Sequence, residues 1–449
     1  MINRLKQWLW PGLELKRWWF LQTLGYVVTI FGLIITLITF INQNANWNMA
    51  NVIASLIYIF DQETFILLVL GIVSVTIGLL LIFQAQLRIT KTFTRLISPE
   101  TTTGEMREKL YLRRHRERGP KIVVIGGGSG LATLLRGLKA YSTNLTAIVT
   151  VADDGGSSGR LREELGIIPP GDIRNCLVAM SETETLLTDL FNYRFTEGNG
   201  LSGHNFGNLF LAAMAAVSHG DFCEAINGAS KVLAVHGSVI PATLDNVSLV
   251  AEFDDGSIIR GESHIGRSSR RISKLSVDPI NVQALPEALQ AIREADAIII
   301  GPGSLYTSII PNLRIHGIVE ELKRTPALKL YICNVLTQPG ETTGLSAADH
   351  YEALISHSAP KIIDYMLVNT KEIELPEEYQ IEGGRPVVVD FDRLDELPIR
   401  IVEGDFIQLG NLIRHDADAL ANRIVEVITL DKRVLERRRA LVEYLEKIE

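Results

Sequence analysis

The sequence predicts a doubly wound α/β domain, with a mostly parallel sheet and an antiparallel excursion, preceded by two transmembrane helices. Three observations carry this. Strand-like apolar runs alternate with stretches of helical periodicity after Pro120, glycine-rich and polar loops sit just after those runs, and two long uncharged apolar runs come first.

The N-terminal runs are Trp18 to Ile41 and Thr64 to Phe83, each long enough to cross about 30 Å of hydrocarbon. They make residues 1–87 a membrane anchor with spans near 18–41 and 64–83. A signal peptide does not fit, because the first run is too long, lacks a small-residue cleavage site and is followed by a second. Arg4, Lys6, Lys16 and Arg17 precede the first span, Arg88, Lys91 and Arg95 follow the second, and no Lys or Arg lies between. The positive-inside rule then puts both termini and the main domain on the cytoplasmic side of the cell (inner) membrane. Trp8, Trp10, Trp18 and Trp19 fit an interfacial belt, and Met49 to Phe60, too short to span, is expected at the outer interface.

Residues 88–120 read as a basic, solvated linker helix, with Arg113, Arg114, Arg116 and Arg118 able to attract anionic membrane lipid. A nucleic-acid arm is disfavoured: the net charge is −8 and no aromatic residue interleaves those arginines. The three cysteines, Cys176, Cys223 and Cys333, show no metal-ligand spacing and read as small buried hydrophobes in a reducing compartment.

Residues 121–430 form the α/β domain. Its expected strands are Ile122 to Ile125, Ala147 to Val151, Ala297 to Ile300, Lys329 to Cys333 and Tyr365 to Val368. In such sheets ligands bind beyond the carboxyl ends of the strands, where the unusual polar residues fall. Ser238 to Ile265 alternates around the turn Asp254-Asp255-Gly256-Ser257 and is read as the antiparallel excursion. Ala417 to Ile448 reads as two helices, with residues 431–449 as a C-terminal helix for packing or self-association into a homo-oligomer.

Two loops carry the site chemistry. Gly126, Gly127, Gly128, Ser129 and Gly130 follow the first strand; Asp153, Asp154, Gly155, Gly156, Ser157, Ser158, Gly159 and Arg160 follow the second. Bare glycine lets backbone N–H groups approach an anion, and the helix that follows turns its positive end toward it. Leu131 stands where a dinucleotide fingerprint needs its third glycine, and no Gly-Lys-Ser/Thr follows, so neither a nicotinamide site nor a P-loop is matched. Adjacent Asp153 and Asp154 diverge, so one of them could hold magnesium across phosphate oxygens, orient a ribose or attacking hydroxyl, or cap the next turn.

Asp172 is expected to cap a helix, with Arg174 as a phosphate fork beside Asn175. His204, Asn205 and Asn208 open another helix, His204 being either ligand-facing or structural. Gly301, Gly303 and Ser304 make a third anion-friendly turn, and Tyr306 either stacks on a base or packs. Asn334 and Thr337 offer amide and hydroxyl groups to a base or sugar.

Gly-Gly-Gly-Ser-Gly, Asp-Asp-Gly-Gly-Ser-Ser-Gly-Arg-Leu, Pro-Pro-Gly-Asp-Ile-Arg-Asn, Gly-His-Asn-Phe-Gly-Asn and Gly-Pro-Gly-Ser-Leu-Tyr-Thr-Ser together resemble the YvcK/CofD-like family, from about Lys121 to Leu430. The pattern is more similar to the YvcK branch, the putative gluconeogenesis factors, whose typical members lack membrane spans. The resemblance implies a Rossmann-like core. It also implies a nucleotide diphosphate or UDP-sugar ligand such as UDP-N-acetylglucosamine, and regulation of cell shape, envelope-synthesis proteins and gluconeogenic growth. Its other branch implies a magnesium-dependent transfer of 2-phospholactate to a deazaflavin alcohol, with Asp153 or Asp154 at the metal or acceptor. By the same resemblance the first-loop glycines, Ser157, Ser158 and Arg160 face phosphates, while Asn205, Asn208, Tyr306 and Asn334 line the base or sugar.

Overall fold

The computed structural model describes residues 15–43, 62–97, 103–182, 185–268, 270–372, 384–408, 413–431, 433, 434 and 436. The chain forms two compact units, Met1–Arg113 and Arg114–Glu449.

In the first unit, α1 (Leu15–Gln43) and α2 (Gln62–Ile97) contain two stretches, Arg17–Thr39 and Phe65–Thr92, long and apolar enough to cross a membrane. Phe20, Phe31, Leu37, Leu80 and Phe83 point outward, which is compatible with membrane anchoring. α2 continues well past the expected end of its span at Phe83. The segment Met49 to Phe60 lies outside the described residues.

The two helices run antiparallel and meet on glycines. A Cβ at Gly32 would sit 2.8 Å from the Gly71 carbonyl oxygen, and one at Gly25 would sit 2.9 Å from that of Gly78. Spacing by seven puts each pair on one helix face, the small-residue packing that lets apolar helices approach where water supplies no hydrophobic drive. Near one end the Gln22 amide donates to Gln86 Oε1 at 3.4 Å, and the Arg17 and Arg88 guanidiniums lie over the Trp18 ring. The helix α3 (Thr103–Glu117) carries the basic cluster of the linker.

In the second unit, β1 (Ile122–Gly126), β2 (Leu145–Val149) and β3 (Ser238–Pro241) are followed by the antiparallel set β4 (Ser248–Phe253), β5 (Ile258–Arg260) and β6 (Ile272–Asp278). Then come β7 (Ala297–Ile300), β8 (Leu328–Ile332), β9 (Tyr365–Asn369) and β10 (Arg400–Gly404), and a small ribbon of β11 (Ile407–Gln408) with β12 (Arg414–His415). The main sheet has seven strands in the order β10-β9-β8-β7-β1-β2-β3, every neighbouring pair parallel. Alternate residues of β1 and β7 feed two apolar cores: Val123, Ile125, Ile298 and Ile300 on one face, Ile122, Val124, Ala297 and Ile299 on the other. Burial on both faces explains why these strands are continuous apolar runs.

Three expectations are corrected. Ser238 to Pro241 joins the parallel sheet beside β2, and only the residues after it form the antiparallel excursion; four residues carry too little pattern to separate the two. β2 starts at Leu145 and ends at Val149, two residues before Val151, because the chain must leave the sheet to reach Asp153. Arg400 to Gly404 is a seventh parallel strand that its mixed composition concealed, being at an edge. Of the tail, α9 below (Ala417–Leu430) is present, and nearly all of the rest lies outside the described residues.

The helices that frame the site are α4 (Gly128–Leu138), α5 (Gly156–Leu165), α6 (Gly171–Met180), α7 (Phe206–Val217), the short α8 (Glu262–Ile265) and α9. The chain steps from β1 out to β3, then returns through the antiparallel set to β7 and steps outward the other way. The switch point is therefore between β1 and β7.

If glycines hold α1 against α2, cysteines replacing Gln22 and Gln86 should cross-link readily in otherwise wild-type chain. Gly71→Leu with Gly78→Leu should slow that cross-linking by about tenfold or more, read on gels against time of oxidation.

Candidate functional site

A crevice of about 410 Å³ opens at the switch point, within the usual range for small-molecule sites. Gly127, Gly128, Ser129 and Gly130 form one wall, where α4 begins and its first-turn N–H groups have no acceptor within the helix. Gly303, Ser304, Thr307 and Ser308 form the facing edge. The last two come from a π-helical turn, Leu305–Ile309, that follows β7 after the Gly301-to-Ser304 loop and places both residues on the crevice.

The two loops touch through their backbones. A Cβ on Gly130 would lie 2.9 Å from the Pro302 carbonyl oxygen, and one on Gly303 would lie 3.1 Å from that of Gly127. Gly303 also holds φ 157°, and Gly301 φ 83°. Buried Asn312 secures the arrangement, its Nδ2 donating to Gly126 O at 3.2 Å and Ser308 O at 2.8 Å.

Acids occupy another wall. Asp153 lines the crevice, with Oδ1 accepting from the Gly155 N–H at 2.9 Å. Asp154 turns toward the antiparallel set and accepts from the Ser263 N–H at 2.9 Å. The neighbouring carboxylates thus diverge. Asp172 also lines the crevice but does not cap α6, where Pro170 occupies the cap position; its carboxylate accepts the Gly128 N–H instead. Desolvation, opposed by that N–H and reinforced by Asp153, pushes Asp172 up to about 6. Glu262, at the start of α8, completes this wall; desolvation, with Asp153, Glu341, Asp154 and Asp172 nearby, pushes it up to about 8. Behind the π turn, buried Glu341 accepts from Thr307 Oγ1 at 2.9 Å, and burial lifts it to about 6.

Asn334, Val335, Leu336, Gln338, Ile413, Arg414 and His415 make the remaining side. Arg414 supplies the cation among the described lining residues. His415 is buried, its ring nitrogen 3.2 Å from the Cys333 carbonyl oxygen, and burial depresses it to about 4, so it is neutral.

The remaining sequence-predicted residues cluster apart from this lining. Ser157 Oγ lies 3.0 Å from His204 Nδ1 and accepts from Asn208 Nδ2 at 3.2 Å, while that same amide lies 3.4 Å from Ser158 Oγ. Asn205 caps α7 by accepting the Asn208 N–H. Arg174 donates to Asn208 Oδ1 at 3.1 Å and to Asn175 Oδ1 at 2.6 Å, and Arg160 donates to the Ser202 carbonyl oxygen at 3.1 Å. These bonds tie α5, α6 and α7 together. Gly126 and Gly301 are backbone behind the crevice, and Gly155 and Gly156 lead into α5. Tyr306 is buried edge-on against the His357 ring, and Thr337 Oγ1 accepts the Arg385 N–H. None of these lines the crevice.

Sequence reasoning missed Thr133, Thr150, Glu262, Thr307, Ser308, Gln338 and the pair Arg414 and His415. Thr307 and Ser308 lay inside a motif already singled out, and only the π turn aims them. Glu262 and Arg414 sit in segments without glycine loops and offered no signal. Magnesium suits one or two carboxylates plus ligand phosphates. Asp153, beside the glycine wall, fits such a role, and Asp154, bonded to Ser263, does not.

The CofD family model, described as 2-phospho-L-lactate transferase CofD, matches residues 122–407. A putative gluconeogenesis factor of Clostridium acetobutylicum is 44% identical over 448 residues, covering 97% of this chain and 94% of its own length. One from Nostoc is 45% identical, covering 95% and 93%. The gluconeogenesis factor of Bacillus subtilis is 50% identical over 312 residues, 69% of this chain and 98% of its own. A crystal structure of a Bacillus halodurans protein aligns with a TM-score of 0.67 at 48% identity, covering 70% of this chain and all of that one. The N-terminal unit is thus shared with some relatives and lies outside the match to others.

Two measurements check the site's physics. Gly130→Ala should cost about 1–3 kcal/mol in urea unfolding, since its methyl meets backbone. For Glu262, a folded pKa raised from 4.5 to about 8 means that stability present below 4.5 is lost as pH rises toward 8. Glu262→Gln should therefore melt like wild type at pH 4.5 and higher at pH 8, by roughly 1–3 °C.

Proposed function

Because the chain belongs to the CofD family and resembles the gluconeogenesis factors within it, we propose that it is a nucleotide-sugar-binding regulator of cell shape, envelope synthesis and gluconeogenic growth. The observation that carries the reading is the crevice with two chemically different walls. The α4 N-terminus, the glycine backbones and Arg414 suit a diphosphate. The Asn334 amide and the Ser308 hydroxyl offer donors and acceptors to a base and a sugar, beside Thr307, which donates to Glu341, and Gln338, which bonds Ser304 and Glu341. A UDP-sugar such as UDP-N-acetylglucosamine combines these parts. The protein is held in the cell (inner) membrane by its two apolar helices, with both termini and the α/β unit on the cytoplasmic side, as the Lys and Arg distribution around the spans favours.

A second reading, transfer of 2-phospholactate to a deazaflavin alcohol, is favoured by the description of the matching family and by Asp153 beside the phosphate wall. Asp153 would hold magnesium, which supplies charge stabilisation when bound; the glycine wall and Arg414 position the phosphates. Product formed by wild type and lost in Asp153→Asn would move the assignment to this reading.

Calorimetry of the full chain in detergent should give saturable binding of UDP-N-acetylglucosamine. Arg414→Ala should weaken it by about tenfold, the loss expected of one charged hydrogen bond. No saturable heat at millimolar ligand would sink the regulator reading.

A further inference from the structure

Glu262 reaches the crevice from outside the doubly wound sheet. It begins α8, at the end of β5, and so belongs to the antiparallel set rather than to the loops that follow the parallel strands. Both of its neighbours are clamped to Asp154. The Ser263 N–H donates to Asp154 Oδ1 at 2.9 Å, and Gly261, at φ 93°, passes so close that a Cβ there would lie 2.5 Å from Asp154 Oδ2. The side chain between them is therefore delivered to a fixed place.

That side chain is chemically distinct from the other acids of the wall. Asp153 accepts from the Gly155 N–H, and Asp172 from the Gly128 N–H. The Glu262 carboxyl has no hydrogen-bond partner among the described residues, and the residue is only part-buried, so its oxygens stay within reach of a ligand. A carboxyl that is partly desolvated and has no protein partner is open to a ligand's hydrogen bonds.

Charge restricts which part of a ligand this is. Asp153 and Asp172 line the crevice with it, so a phosphate placed against Glu262 would meet acids, whereas the α4 N-terminus and Arg414 offer donors elsewhere in the lining. A neutral hydroxyl suits the acidic wall, because a carboxyl can accept from it when ionised and donate to it when protonated. The group is protonated in much of the neutral range, which reduces repulsion from its acidic neighbours.

We propose that Glu262 is a specificity-determining residue that hydrogen-bonds the hydroxyls of the ligand's sugar at the acidic wall of the crevice. This rests on the nucleotide-sugar reading above. Asp154 acts through it as a positioning residue, holding the backbone of α8 in place.

The test compares UDP-N-acetylglucosamine with UDP, which lacks the sugar, on the full chain in detergent. Circular dichroism melts establish that each variant is folded. Glu262→Ala should weaken the UDP-sugar about tenfold or more and leave UDP within about twofold. Glu262→Gln, which still donates and accepts, should keep the UDP-sugar within about threefold. Equal loss for both ligands, or no loss for either, in folded Glu262→Ala overturns the proposal and leaves the reading on which it rests standing. Wild type that binds neither ligand overturns both. Should Glu262→Ala prove unfolded, Glu262→Gln and Glu262→Asp decide: the same affinity for the UDP-sugar in wild type and Asp, which draws the carboxyl back by one methylene, counts against the contact.

Discussion

The crevice depends on two backbones that touch. Parallel pairing sets Ile125 of β1 level with Ile300 of β7, so the loops beyond them emerge side by side. Gly127 to Gly130 and Gly301 to Gly303 then pack with no side chain between them. A residue with a Cβ at Gly130 or Gly303 would push the loops apart, moving the start of α4 away from the π turn. The direction of the α4 N–H groups, the aim of Thr307 and Ser308 and the width of the site all follow from this contact. Asn312, bonded to both Gly126 and Ser308, makes it one unit.

Around this contact the charges are divided. Donor groups face the crevice from α4, and carboxyls face it from β2, α6 and α8. Holding Asp153, Asp172 and Glu262 on one wall costs stability, as the upward shifts of Asp172 and Glu262 show. Asp172 offsets part of this by taking the Gly128 N–H. Such strain is common where a surface is shaped for a ligand rather than for folding alone.

The bonds among Ser157, His204, Asn208 and Arg174 have a different task. Hydroxyl, imidazole, amide and guanidinium bond one another and join α5, α6 and α7, although Arg174 Nε stays buried without a partner among the described residues. Enclosed polar groups of this kind rigidify a site when their partners are in place. Close backbone approach also organises the N-terminal unit, where Gly25, Gly32, Gly71 and Gly78 seat α1 on α2.

The sequence by itself determined the α/β class, the two apolar helices, the glycine loops and five of the seven parallel strands, because buried strands and phosphate-type turns impose local composition. Ser238 to Pro241 and Arg400 to Gly404 escaped, being edge strands with one partner each and weaker patterning. Within the site, Gly127 to Gly130, Asp153, Asp172, Gly303, Ser304 and Asn334 were legible from loops at strand ends. Glu262 and Arg414 were not, since each arrives from a ribbon outside the sheet, and nothing in a ribbon's own sequence states which crevice it borders. Nor does a motif reveal which of its polar residues bond each other: Ser157, His204 and Asn208 are expected at a ligand from the sequence, and in the fold they hydrogen-bond one another. Only the tertiary structure decides that, because it fixes which donors and acceptors find protein partners and which, like Glu262, are left facing the crevice.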